Sequence, residues 1–245
     1  MDAIVAIAVS AVADFLLSRS RNPQPVLCAM PNYPPLVEAI SRRHPVQLVP
    51  LSCGAGATSV RPLIDAIRSD TPAVVLQTVT NPTGTFVAES DIAELIAAAG
   101  PETMFILDEC HECVGPERLR GACRADPRVI RINSLSKSYS VPGLKIGWIL
   151  ASTAFIAEFY EYASTSYGGP PSFFYTLVEV AARLERTLLL DIDCAFRDLL
   201  DVEGVAVFPG ILTYCLGGDW VRITTARDPI MLAESLRRLA SFLQT

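Results

Sequence analysis

Lysine is nearly absent from this 245-residue chain: there are two lysines against eighteen arginines. Histidine is as scarce, again with two. The 26 acidic residues outnumber the 20 basic ones, for a net charge of −6. No basic run and no basic–aromatic interleaving occurs, so nucleic acid is not an expected partner. Long apolar runs are also missing. The N-terminal stretch 3–17 is too short to span a bilayer and is interrupted by Asp14. It has no positive leader and carries Asp2, which argues against a secretory signal, and no membrane association is expected. Seven cysteines, an odd number scattered along the chain, fit free thiols in a reducing cytoplasm better than a disulfide framework. Cys110-His111-Glu112-Cys113 offers crowded ligands with no second Cys/His pair, so no metal is expected.

What the chain does have is apolar bulk, 51% hydrophobic against 19% charged, enough for a sizeable core. Short apolar, β-branched runs recur at 4–9, 25–30, 46–50, 73–78, 104–108, 129–133 and 144–151. Helical patterns lie between many of them, at 12–18, 35–43, 60–68 and 90–99, with Ser90 as N-cap and Gly100 as stop. Near-continuous apolar strands alternating with helices predict an α/β fold: a seven-stranded, mostly parallel sheet with helices on both faces. After Ser152 the pattern turns α+β, with helices at 154–164 and 172–200, a connection at 201–209, a strand pair at 211–216 and 220–224, and a helix at 229–243. We therefore divide the chain into a large α/β domain, 1–165, and a smaller remainder, 166–245. The glycine-containing stretch 54–59 lacks the third glycine of a dinucleotide loop and reads as a plain loop.

Both lysines fall in one stretch, Ser134 to Trp148, as Lys137 and Lys145. Arginine supplies charge but stays protonated, whereas a lysine amine can condense with a carbonyl to a Schiff base. A chain that otherwise prefers arginine points, by keeping lysine here, to imine chemistry. The chemistry that most often needs it is that of pyridoxal 5'-phosphate. In an open α/β sheet chemistry collects at the carboxyl ends of the strands. Tyr33, Asn81, Asp108, Ser134, Ser136 and Lys137 all follow or end predicted strands.

Asn81-Pro82-Thr83-Gly84, then Asp108-Glu109, then Ser134-Leu135-Ser136-Lys137, then Pro142-Gly143-Leu144-Lys145-Ile146-Gly147-Trp148 occur in an order that resembles the class I/II aminotransferases, fold-type I enzymes that use pyridoxal phosphate. The resemblance runs from about residue 4 to 151 and less securely to Arg222. It implies that Lys137 carries the cofactor as a Schiff base and shuttles the substrate proton. It implies that Asp108 pairs with the pyridine nitrogen, keeping it protonated. Asn81 and His111 would reach the 3-oxygen, and Tyr33 would stack on the ring. Ser134, Ser136 and Lys145 would form the phosphate cup, with Ser10 at a helix start adding a hydroxyl. Arg222 would grip the substrate carboxylate, with Asn81 beside it. The segment Gly168 to Ser172 resembles one that reaches a neighbouring subunit, implying a homodimer with the site near its interface.

Three departures accompany the resemblance. His111 stands where the family commonly has tyrosine, as in some carbon–sulfur lyases of this fold. Lys145 stands where arginine is usual. The N-terminal segment and much of the small domain are shortened, which predicts an open site with weaker exclusion of water. The expected function is a pyridoxal-phosphate-dependent, aminotransferase-like enzyme acting on an α-amino acid and a keto acid. The alternatives are a lyase using the same site for β-elimination, cyclisation or decarboxylation, and a truncated homologue acting as a non-catalytic partner subunit.

Overall fold

The computed structural model describes residues 3–19, 24–53, 57–113, 120–138, 145–168, 207–209, 221–223, 228–231, 233–234 and 237. Its centre is a six-stranded sheet formed by β1 (Val26–Met30), β2 (Val46–Pro50), β5 (Ala73–Gln77), β6 (Met104–Asp108), β7 (Val129–Ser134) and β8 (Gly147–Leu150). The spatial order is β2-β1-β5-β6-β7-β8. All neighbouring pairs are parallel except β7 and β8. Six of the seven predicted strands are thus present. Two small ribbons lie outside the sheet, β3 (Ser52–Cys53) with β4 (Thr58–Ser59), and β9 (Val207–Pro209) with β10 (Val221–Ile223).

The seventh predicted strand, 4–9, is instead the first part of α1 (Ala3–Arg19). A continuous apolar run does not distinguish a buried strand from a buried helix by its period. Here alanines at 3, 6, 8, 11 and 13 favour helix. Val5, Val9, Val12, Ala13 and Phe15 bury against the sheet, whereas a strand would turn half of them away.

Alternate residues of each central strand feed two cores. Val26, Cys28, Met30, Val75, Ile106, Ile130 and Ile132 point to one face, covered by α1, α2 (Pro34–Ser41) and α6 (Thr153–Ser166). Leu27, Ala29, Val74, Leu76, Phe105, Leu107 and Val129 point to the other, covered by α3 (Arg61–Ala66) and α4 (Glu89–Ala98). This two-sided burial explains why the strands are apolar throughout. Helix α6 starts at Ser152, whose hydroxyl accepts from the Phe155 N–H at 3.3 Å. Helix α4 starts one residue before Ser90, at an N-cap of Ala88 without a side-chain cap.

The chain passes from β1 through α2 to β2 on one side, then returns to place β5 on the other side of β1. Connections leaving β1 and β5 therefore diverge, which opens a crevice at their carboxyl ends. In the C-terminal part, the connection expected at 201–209 contains β9, which pairs antiparallel with β10. β10 pairs with 207–209, and the predicted partner strand 211–216 lies outside the described residues. The predicted helix 172–200, the Gly168–Ser172 segment beyond Gly168, and most of the proposed second domain lie outside the described residues.

Phe15 joins α1 to α6 through ring contacts with Phe155 at 5.6 Å and Phe159 at 5.5 Å. Phe15→Ala is expected to cost about 3–5 kcal/mol, read as a lower urea midpoint at unchanged slope. A loss below about 1 kcal/mol would show that α1 does not pack here.

Candidate active site

Asp108 ends β6 and is 3% exposed. Its carboxylate is held on both oxygens. Oδ1 accepts from the Cys110 N–H at 3.0 Å, and Oδ2 accepts from Gln77 Nε2 at 2.9 Å. Gln77 ends β5 directly opposite, in register with Asp108. Its Oε1 in turn accepts from the Asn81 N–H at 3.2 Å. The main chain of Asp108 is fixed as well, since its carbonyl accepts from the Thr78 N–H at 3.1 Å.

Asn81 opens the turn after β5, and its Oδ1 is buried without a hydrogen-bond partner. A buried polar atom left so costs free energy unless a ligand meets it. The turn itself is fastened by threonines: Thr58 Oγ1 and Thr85 Oγ1 are 2.5 Å apart, and Thr83 Oγ1 bonds Thr85 Oγ1 at 2.8 Å. Gly84 takes φ +69°, in the left-handed region that a side chain resists. Tyr33 caps the N-terminus of α2, directly after β1. Ser134 ends β7, and Ser136 and Lys137 follow in the short α5 (Leu135–Ser138). Ser134 and Ser136 are buried and Lys137 is exposed. Lys145 is exposed and adopts φ +54°, an uncommon conformation for a non-glycine residue. His111 Nδ1 lies 3.3 Å from Cys110 Sγ.

Tyr33, Asn81, Asp108, Ser134, Ser136 and Lys137 therefore all leave the same sheet edge, four strands wide. Ser10 does not belong there. It lies in the middle of α1, not at a helix start, and its hydroxyl donates to the Ala39 carbonyl at 3.2 Å. A mid-helix position has no free N–H groups to offer an anion, so the expected phosphate role of Ser10 is corrected. Arg222 lies in β10, on the small ribbon rather than the main sheet. Residues 139–144, including Pro142 and Gly143 of the lysine-containing motif, lie outside the described residues.

A buried ion network, unsuspected from the sequence, fixes the turn after Asp108. Arg124 donates to Glu109 at 2.6 Å, to Glu112 at 2.5 Å and to Glu89. Arg131 holds Glu109 bidentately at 2.6 and 2.9 Å. Burial works against the charge of Arg124, but hydrogen bonding to Glu89 and the charges of Glu112 and Glu109 hold its pKa above the ordinary value. Partial burial pushes the Glu89 carboxyl up. Hydrogen bonds from Arg124 and the Gly121 N–H outweigh that and hold it below the usual carboxylate range. Cys28 and Cys123 are free thiols, and burial pushes the Cys28 thiol up to about 12. Among the described residues no group of three or more His, Cys, Asp or Glu is placed to hold a metal ion.

The sequence profile described as aminotransferase class I and II matches residues 6–186, about three quarters of the chain. The chain belongs to this family. It is 24% identical over 271 aligned positions to the valine–pyruvate aminotransferase of Mycobacterium tuberculosis, covering 89% of this chain and 69% of that enzyme. It is 32% identical over 104 residues to the histidinol-phosphate aminotransferase of Erythrobacter litoralis, covering 41% of this chain but only 28% of that enzyme. Among solved structures, the aspartate aminotransferase of Thermotoga maritima superposes with a TM-score of 0.76 at 17% identity, covering 97% of this chain and 74% of that one. A pyridoxal-phosphate-bound C–S lyase from Staphylococcus hominis superposes with a TM-score of 0.70 at 14% identity, covering 95% of this chain and 74% of that one.

The donor set at the edge fits the family's cofactor, pyridoxal 5'-phosphate. A fixed carboxylate, an unsatisfied carboxamide oxygen, two buried hydroxyls and an exposed amine are the groups a protonated pyridine, a phosphate and an aldehyde require. Sequence reasoning missed Gln77, whose only signal is a polar residue closing the apolar run Ala73-Val74-Val75-Leu76. It also missed the Arg124 and Arg131 network, because the partners lie 12 to 35 residues apart.

Arg124→Ala would remove the guanidinium shared by Glu89, Glu109 and Glu112, leaving Arg131 on Glu109 and Arg120 on Glu112 but no cation on Glu89, and we expect it to cost about 3–5 kcal/mol, measured by chemical unfolding. Because Glu89 titrates lower when folded than when unfolded, its contribution is complete above the ordinary value of 4.5 and is lost as pH falls through the folded value. The melting temperature should therefore drop on acidification below that point, and Glu89→Gln should flatten part of the drop.

Proposed function

We propose that this chain is a pyridoxal-phosphate-dependent, aminotransferase-like enzyme acting on an α-amino acid and a keto acid. The observation that carries the reading is the Asp108 carboxylate, buried at a strand end with both oxygens held, on the same edge as Asn81, Ser134, Ser136 and Lys137. The cofactor, when bound, withdraws electrons from the substrate α-carbon. Lys137 would hold the cofactor through its Nζ amine and would take the α-proton of the substrate and return it. Asp108 holds the proton on the pyridine nitrogen, since opposite charges stabilise one another. Asn81 and His111 bond the 3-oxygen, and Tyr33 packs on the ring. Ser134 and Ser136 donate to the phosphate, and Lys145 adds a point charge without arginine's planar fork. Arg222 binds the substrate carboxylate.

The same reading includes a division into a cofactor-binding part, 1–165, and a smaller part, 166–245, a homodimer, and a cytoplasmic location. The free thiols of Cys28 and Cys123 support that location. Among the described residues, no helix is long and apolar enough to cross a membrane.

His111 favours β-elimination as a second reading. It stands where the family commonly has tyrosine, as in some carbon–sulfur lyases of this fold, and puts an imidazole where a phenol would be. Incubation with a panel of amino acids separates the two, transamination giving pyridoxamine phosphate and a keto acid, elimination giving ammonia and pyruvate-like products.

The purified chain should take up pyridoxal phosphate and turn yellow. Borohydride should bleach the visible band and leave a mass adduct on Lys137. Lys137→Ala should abolish both the adduct and turnover. An adduct on another residue, or a chain that stays colourless, would overturn the assignment.

A further inference from the structure

Gln77 is 2% exposed, the only polar residue of β5, between strands whose apolar side chains fill both cores. A buried carboxamide is retained only where its groups are used. This one spans two residues of the candidate site. Nε2 donates to Asp108 Oδ2 at 2.9 Å, and Oε1 accepts from the Asn81 N–H at 3.2 Å. The register places Gln77 directly opposite Asp108, so the contact is set by the sheet itself rather than by a loop.

We infer that Gln77 is a positioning residue that sets the angle of the Asp108 carboxylate and ties it to Asn81 as one rigid unit. The inference rests on the reading of Asp108 and Asn81 as cofactor ligands. It goes beyond that reading in naming what aims them. Its chemistry depends on the bridge being neutral. An arginine, lysine or charged histidine at this position would compensate the Asp108 charge and weaken its hold on a protonated pyridine nitrogen. A carboxamide fixes one oxygen while leaving the full negative charge to face the ring. The Cys110 N–H does the same on the other oxygen, so neither donor competes with the cofactor as a cation.

Gln77→Glu is the informative variant. It keeps an acceptor for the Asn81 N–H but sets a second carboxylate against Asp108. Two carboxylates in hydrogen-bond contact repel one another when both are ionised, toward alkaline pH, and bridge through a shared proton when one is neutral, toward acid. Pyridoxal phosphate affinity, followed by absorbance titration of the full chain, should fall about tenfold or more near pH 8 and recover toward pH 5, whereas the unmodified protein lacks that dependence. Gln77→Leu should weaken binding by roughly ten- to a hundredfold at every pH, the loss of a hydrogen bond to a charged group. Gln77→Asn, one methylene shorter, should restore little. A merely structural glutamine would lower the melting temperature and leave the pH profile of binding flat. Equal affinity and a flat profile for Gln77→Glu would overturn the inference.

Asp108→Ala is the reference. If it leaves cofactor affinity unchanged, the reading of Asp108 fails and the inference falls with it. If it weakens binding while Gln77→Glu does not, only the inference falls. Should the variants not fold, the unmodified chain decides: the Gln77 side-chain amide resonances should shift when pyridoxal phosphate is added, and unmoved resonances would overturn the proposal.

Discussion

A carboxylate buried at the end of a central strand has to be satisfied on both oxygens, and the site is built around that requirement at Asp108. One oxygen is met by the first amide of the turn that follows and the other by the side chain ending the adjacent strand. Neither donor carries charge. The negative charge therefore stays available at the sheet edge, in a place where it is costly to bury and worth keeping only for a partner. Asn81 is tied to the same arrangement through Gln77, and its own carboxamide oxygen meets no hydrogen-bond partner among the described residues.

Two other constraints keep this arrangement in place. The sheet is covered on both faces, so β5 and β6 cannot slide without exposing apolar residues of one core or the other. The turn after Asp108 is anchored by Glu109 and Glu112 to Arg124 and Arg131, and from there to Glu89 at the start of α4. Arginine suits this role because its fork serves several carboxylates at once and does not lose its proton. The preference for arginine along the chain thus acquires a structural use.

The central strands were legible because each is apolar, short and bounded by turn residues; the first was misread, the last is shorter than expected at 147–150, and the other five were read to within one residue at either end. The first failed because 4–9 is apolar without a period, and its alanines are compatible with either state until the sheet supplies a face to cover. That error carried Ser10 with it, since a helix start was placed where the helix is already under way. The ribbon of β9 and β10 was half legible: Val221–Ile223 was found and its pairing with 207–209 was not, because pairing of short strands is not written in either strand alone. The site residues Asn81, Asp108, Ser134, Ser136 and Lys137 were legible as motifs with their own chemistry. Gln77 was not, because a glutamine after an apolar run carries no chemical signature by itself.

The sequence by itself determined the family and the α/β class and singled out Lys137 as the candidate amine, because these depend on residue types at short spacings and on the contrast between two lysines and eighteen arginines. The tertiary structure decided which groups meet. It set Gln77 against Asp108 across 31 positions of chain, joined Arg124 to Glu89 across 35, and turned an apparent strand into the helix that covers one face of the sheet. Those outcomes depend on strand register and on which surfaces need burying, and neither is a property of any local stretch of residues.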